Sequence, residues 1–227
     1  MKALEWQPIA GCSYASPGCT NCKTMKLASP EMREHFRREG LVTDSRSGPV
    51  WTGKLHFDTS RLQEPLSFSE PTAFYVCPHG DLFHENAPDE WIDQIFDVIR
   101  ACPQHWFQIV TKRARRQREY VLKRFGRLAS FAPRNVAFGV SCERQREADE
   151  RIPDLIATPS AVRFVTLYPL LEAINLAAYL RHRKVSAVLA GEEDERPADS
   201  GWYETLQADC VAAGVQFVRS STLIGSA

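Results

Sequence analysis

The sequence carries no excess of charge: 28 lysines and arginines balance 28 aspartates and glutamates across 227 residues. Overall charge therefore points to neither a nucleic-acid partner nor a membrane surface. No apolar run reaches the length of a bilayer span, and Met1–Trp6 lacks the apolar stretch of a signal peptide. Internal repeats, low-complexity tracts and a composition break that would mark a linker are also missing. A soluble cytoplasmic protein with no membrane partner is expected. It should form one domain over residues 1–227, a length at which a single α/β barrel or one large α/β domain is usual. Cysteine, by contrast, is plentiful. The chain has seven, and in a reducing compartment such residues bind metal more often than they form disulfides.

Three of the seven stand in one loop, Gly11-Cys12-Ser13-Tyr14-Ala15-Ser16-Pro17-Gly18-Cys19-Thr20-Asn21-Cys22, with the spacing C-x6-C-x2-C. An odd number of thiols cannot all pair as disulfides with one another. Three thiolates on a short glycine- and proline-rich loop suit a metal centre that keeps one coordination position open. An iron–sulfur cluster normally takes four cysteines, so a three-cysteine [4Fe–4S] site leaves one iron for a substrate or cofactor. Structural zinc is the alternative. It usually needs four ligands in two close pairs, and here only Cys19 and Cys22 form such a pair, so the fourth would come from Cys77, His79 or His84. Unligated cysteines belong in apolar cores, which this Gly/Ser/Pro/Asn loop does not resemble.

Along the chain, Leu4–Ala10 reads as a first strand leading into the loop. Met25, Ala28, Met32 and Phe36 have helical spacing, with Gly40 as a stop and Ser29-Pro30 as an alternative start. Residues 41–72 read as irregular, with turn residues around Ser45–Pro49 and an extra strand over Trp51–Phe57. A regular rhythm follows. Strands are predicted at 73–77, 106–110, 136–140, 163–167, 187–190 and 215–218. The helices between them are predicted over 88–99, 113–125, 144–156, 174–182 and 202–213. Apolar strands alternating with helices indicate parallel β/α units, and seven strand candidates suit an open or incomplete (βα) barrel.

In such folds chemistry gathers where strands hand over to helices. The handovers here are polar: His79, Gly80, Asp81 and His84 after the second strand, then Thr111, Lys112 and Arg113. Ser141, Cys142 and Glu143 follow the fourth, Tyr168 the fifth, and Gly191 with the acidic run 192–195 the sixth. Asp81, Ser141 and Glu143 are equally good helix-capping residues. The basic segment Lys112–Arg118 contains three candidate phosphate contacts, Arg115, Arg116 and Arg118. Two or three of its residues would reach a duplex if it is not simply a solvated helix face.

Together the cysteine loop, GDLFHE at 80–85, TKR at 111–113, FGVS at 138–141 and PLL at 169–171 resemble a radical-SAM-like family carried by phages and bacteria. That family is a domain of unknown function whose hallmark is the GC-x6-C-x2-C loop. The resemblance implies a partial (βα)6 TIM-like barrel of the radical SAM type, and a [4Fe–4S] cluster on Cys12, Cys19 and Cys22. It also implies S-adenosylmethionine bound to the open iron and cleaved to a 5′-deoxyadenosyl radical. By position, His79, Gly80 and Asp81 would face the methionine amino group, and Ser141 and Glu143 its carboxylate or the ribose. Lys112 or Arg113 would pair with the carboxylate, and Gly191 would let the adenine approach backbone.

Three departures stand out: the superfamily's usual spacing is C-x3-C-x2-C, Asn21 and Lys23 replace an expected aromatic residue, and Tyr168 replaces an acidic one. The functional expectation is a radical SAM isomerase or tailoring enzyme acting on a nucleotide or a hypermodified pyrimidine of phage DNA. It would be fed electrons by a flavodoxin or ferredoxin, and would work in the host cytoplasm if phage-encoded. A zinc-stabilised nucleic-acid-binding module without catalysis, and a silent partner-binding barrel, are the competing readings.

Overall fold

The structure is a computed structural model that describes residues 3–22, 24–25, 29–46, 48–128 and 132–219. Contacts divide the chain into two compact units, Met1–Phe107 and Gln108–Ala227. In chain order the first holds β1 (Ala3–Trp6), β2 (Ile9–Ala10), helix α1 (Pro30–Arg38), β3 (Val42–Ser45) and β4 (Gly48–Trp51). It continues with β5 (His56–Phe57), helix α2 (Thr59–Leu62), β6 (Ala73–Val76), helix α3 (Asp89–Ala101) and the start of β7 (Trp106–Thr111). The second completes β7 and alternates α4 (Ala114–Phe125), β8 (Val136–Ser141), α5 (Gln145–Ala157), β9 (Val162–Leu167), α6 (Ala177–Leu180), β10 (Ala187–Ala190), α7 (Ser200–Ala213) and β11 (Gln216–Arg219).

Seven of the strands make a parallel sheet in the order β1-β6-β7-β8-β9-β10-β11, flanked by helices. The order has two ends, at β1 and β11. From β6 onward every strand neighbours its successor in sequence, as short β/α connections dictate. The expected α/β class and its run of parallel units are thus present. No helix among the described residues is long and apolar enough to cross a membrane.

Why these segments fold as they do is local at first. In α3, Ile92, Ile95, Phe96 and Ile99 form one buried stripe, with Asp89 and Glu90 at the positive end of the helix dipole. Helix α1 starts at the Ser29-Pro30 pair, where Ser29 Oγ accepts from the Met32 amide at 3.2 Å. It stops at Gly40, which adopts φ +66° while Leu41 N–H closes back onto Phe36 O at 2.8 Å. Ala28 and Lys23 lie outside the described residues. In the second unit β8 is buried at every position, the pattern of a parallel strand covered on both faces.

The first unit's core is aromatic. Phe74 stacks on Phe107 at 5.5 Å between centroids, and Trp6 meets Phe107 at 5.6 Å. Buried rings of this size each contribute on the order of 2–3 kcal/mol through removed apolar area.

Three sequence expectations need correction. The first strand is not continuous from Leu4 to Ala10. It breaks at Gln7-Pro8, where proline has no amide to donate, and β2 pairs antiparallel with β5 instead. Residues 41–72 are not irregular: β3 and β4 form an antiparallel hairpin in register Val42 to Trp51, and the predicted Trp51–Phe57 strand is cut by Gly53 at φ +83°. The helix expected over 174–182 shrinks to Ala177–Leu180, because Asn175 Oδ1 accepts from the Ala177 amide and Asp209 Oδ2 from the Leu176 amide, fixing a late start.

Candidate metal centre

The candidate residues divide between the two units. In the first, the cysteine loop leaves β2 at Gly11, which bridges Gly80 in parallel fashion and donates to His79 O at 3.2 Å. Gly11 has φ +100°, and a Cβ there would lie 2.3 Å from Lys54 O, so only glycine lets the β4–β5 connection pass this closely. Gly80 is held on the other side, where a Cβ would stand 2.9 Å from Gly11 O. Two glycines thus bring the start of the loop against the segment after β6.

Downstream, Cys12 O accepts from the Gly53 amide at 3.0 Å, and Ser13 Oγ lies 2.8 Å from His84 Nε2 and 3.1 Å from Glu85 Oε1. His84 is fully buried, and its Nδ1 accepts from the Asn86 amide at 3.0 Å. That acceptor role puts the ring hydrogen of neutral His84 on Nε2, so it donates to Ser13 and Ser13 donates to Glu85. The loop then makes a single turn of 3-10 helix at Pro17–Cys19, with Cys19 N–H closing onto Ser16 O at 2.8 Å. Cys22 Sγ accepts from Trp51 Nε1 at 3.5 Å.

A cavity of about 440 Å³ opens beside the last two cysteines. Tyr14, Cys19, Cys22, Met25, Arg33 and Trp51 are among its walls. Its size lies within the range of roughly 300–1,000 Å³ typical of small-molecule sites.

The donor set separates cleanly from the remaining cysteines. All seven are free thiols; Cys12, Cys19 and Cys22 are partly exposed, while Cys77, Cys102, Cys142 and Cys210 are buried. Burial pushes the Cys77 and Cys142 thiols up to about 12, so in the absence of a bound cation both are protonated near neutral pH. Three partly exposed thiols thus share one glycine-anchored loop, and two of them, Cys19 and Cys22, lie on the cavity wall.

The other two members of this region are engaged within the fold. His79 Nε2 lies 3.0 Å from Glu5 Oε2, and its amide donates to Gln7 Oε1. Asp81 is buried and accepts from the Phe83 amide at 3.0 Å, capping a turn rather than a helix. Among the described residues no three His, Cys, Asp or Glu side chains converge as ligands of a single metal ion.

The second unit gathers Lys112, Ser141 and Glu143 at the ends of β7 and β8. Glu143 is completely buried and is paired with both the Lys112 ammonium and, at 3.1 Å, the Arg151 guanidinium. Lys112 also donates to Ser141 Oγ at 3.3 Å, and Arg151 to Ser141 O at 2.5 Å. Neither Ser141 nor Glu143 caps α5. That task falls to Glu172, whose Oε1 accepts from the Gln145 amide at 2.8 Å. Tyr168–Leu171 ties this corner together: Tyr168 O accepts from Ser141 Oγ, Leu170 N–H reaches Gly191 O and Leu171 N–H reaches Glu143 O. The Arg113 amide donates to Thr111 Oγ1 as α4 begins.

On α4 the basic run is less available than its sequence suggests. Arg115 holds Glu119 at 2.8 Å and Arg118 holds Asp154 at 2.8 Å. The sequence reading missed Arg151, which closes the buried network, Glu172, which caps α5, and Trp51, which touches Cys22. Glu172 and Trp51 carried no local signal, because each acts on a residue 27 or 29 positions away, and Arg151 reaches Glu143 only through the packing of α5 on β8.

No curated protein and no solved structure matches this sequence. Residues 2–221 match the model of a family described as a protein of unknown function, DUF5131, and with nearly its whole length covered the chain belongs to that family.

Proposed function

We propose that the chain is a radical S-adenosylmethionine enzyme on a partial (βα)6 TIM-like barrel, with Cys12, Cys19 and Cys22 holding a [4Fe–4S] cluster. One observation carries this reading: only the three loop thiols are partly exposed, and two of them line a cavity of small-molecule size. When bound, the cluster supplies the electron that splits S-adenosylmethionine into methionine and a 5′-deoxyadenosyl radical.

The chain's own residues prepare the place. The Gly11–Gly80 bridge and the Cys12–Gly53 and Ser13–His84 hydrogen bonds fix the first cysteine's backbone. Trp51 and Met25 give the cavity an apolar stretch of wall beside Cys19 and Cys22. His79, Gly80 and Asp81 border the loop's start, where the resemblance sets the methionine amino group. Lys112, Arg113, Ser141, Glu143 and Gly191 keep the cofactor roles the resemblance assigns, and the Lys112–Glu143 ion pair with the Lys112–Ser141 hydrogen bond holds three of those side chains in place.

A zinc-stabilised module needs a fourth ligand from Cys77, His79 or His84. Cys77 is buried, both ring nitrogens of His84 are hydrogen-bonded, to Ser13 and to the Asn86 amide, and His79 Nε2 is on Glu5 while its Nδ1 makes no hydrogen bond among the described residues. The burial of Cys77 and the bonding of His84 favour the cluster. The test is anaerobic reconstitution with iron and sulfide, reduction, and incubation with S-adenosylmethionine. Formation of 5′-deoxyadenosine and methionine is expected even without substrate. Stoichiometric zinc without iron, or a reduced iron-loaded chain that neither binds nor cleaves the cofactor, would overturn the reading.

The substrate in this reading is a nucleotide or a hypermodified pyrimidine, and the reaction an isomerisation or other tailoring step. A flavodoxin- or ferredoxin-type protein would supply electrons in the cytoplasm. Helix α4 bears on whether the base is presented in DNA. With Arg115 and Arg118 each holding a carboxylate, only one or two phosphate contacts are expected. The slope of log affinity against log salt for a labelled duplex should then be about −1 to −2. Fluorescence anisotropy across a salt series measures it. A slope near zero would indicate a free nucleotide.

A further inference from the structure

We propose that Trp51 is a positioning residue for Cys22, one that raises the reduction potential of the centre the cysteines hold. The inference rests on the cluster reading above. Indole Nε1–H donates to Cys22 Sγ across 3.5 Å, linking residues 29 positions apart. The donor is held by packing. Trp51 stands opposite Val42 in the β3–β4 hairpin, and its ring lies 5.2 Å from that of Phe36, tilted by 55°. It packs with Met25 and Met32 against Ala10, Phe36, Leu41 and Val42. Thr52 extends the clamp, its amide donating to Leu41 O and its hydroxyl to Gly40 O, both at 2.9 Å. The indole therefore has little freedom to leave the sulfur.

An N–H aimed at a ligating sulfur favours the state with more negative charge on that sulfur. In an iron–sulfur centre that is the reduced state, so the hydrogen bond raises the midpoint potential. The same ring forms part of the cavity wall beside Cys19 and Cys22. Most of the polar contacts that fix the start of the loop come from backbone, which substitution cannot remove. Trp51 supplies its hydrogen bond from a side chain, so its effect is separable.

The experiment compares wild type, Trp51→Phe and Trp51→His after anaerobic reconstitution, by iron content, redox titration with a one-electron reductant and the electron paramagnetic resonance of the reduced protein. Trp51→Phe keeps a ring against Phe36 and loses the donor. It should retain wild-type iron, with a more negative midpoint and altered resonance. Trp51→His keeps a ring N–H and should return toward wild type. Loss of iron in Trp51→Phe but not in Trp51→His would also support the donor role. Equal midpoints for Trp51→Phe and wild type would overturn it, as would equal loss of iron from both variants, which would assign the effect to packing. A wild-type chain that takes up no iron removes the cluster reading and this inference with it. Iron at an unchanged potential removes only the inference.

Discussion

Anaerobically reconstituted wild type is expected to hold about four irons per chain, and Cys12→Ala, Cys19→Ala and Cys22→Ala are each expected to lose them. The expectation follows from accessibility. With three protein ligands a cluster already has one iron unprotected, and removing a second anchor leaves too few bonds to retain it. No other thiol can substitute. Cys77 and Cys142 are buried and pushed up to about 12, Cys210 to about 11, and burial also raises Cys102. All four are buried, whereas the three loop thiols are partly exposed. Cys102→Ala and Cys210→Ala should therefore keep full iron and lose only stability, on the order of 1 kcal/mol. Iron analysis and the charge-transfer absorbance check both halves. Retention of iron in any of the three loop variants would remove that cysteine from the ligand set.

Replacing Glu143 by leucine is expected to destabilise the fold by about 3–5 kcal/mol, the usual result of breaking a buried ion pair from one side. The substitution leaves the Lys112 and Arg151 cations facing each other without their anion, with the Arg151 side chain only 4% exposed and that of Lys112 18%. For a chain of this size about 1 kcal/mol shifts the melting temperature by roughly 2–4 °C, so a loss of some 6–20 °C should be seen in thermal unfolding. Exchanging all three residues for apolar ones of similar volume, Lys112→Met, Glu143→Leu and Arg151→Met, should recover most of it, because no charge is then left uncompensated. If Glu143→Leu alone melts like wild type, the network contributes no stability and Lys112 is held by other means. Iron content should be unchanged in both variants, which separates this effect from that of the cysteines.

Much of the architecture was legible before any coordinates. The apolar runs from Ala73 onward alternate with amphipathic stripes such as Ile92, Ile95 and Ile99, and the observed elements fall within a few residues of those expectations. Their order also implies parallel pairing, since a helix between two strands carries the chain back to the end of the sheet where the first strand began. The region before Ala73 was less legible. Its strands are two to four residues long, too short for periodicity to register, and Pro8 and Gly53 break them at points only pairing reveals.

The sequence by itself determined that three thiols share one loop, that glycine and proline keep that loop from becoming a long helix or strand, and that α1 could start at Ser29-Pro30 and stop at Gly40. These are effects of covalent spacing and of backbone preference over a few residues. Only the tertiary structure decided which polar groups at the strand ends are already engaged. Glu143 meets Lys112 across 31 positions, His84 meets Ser13 across 71, and Trp51 meets Cys22 across 29. Such pairings depend on where burial removes water and leaves a charge or an N–H with one partner in reach. That competition is settled by packing and leaves no trace in local composition.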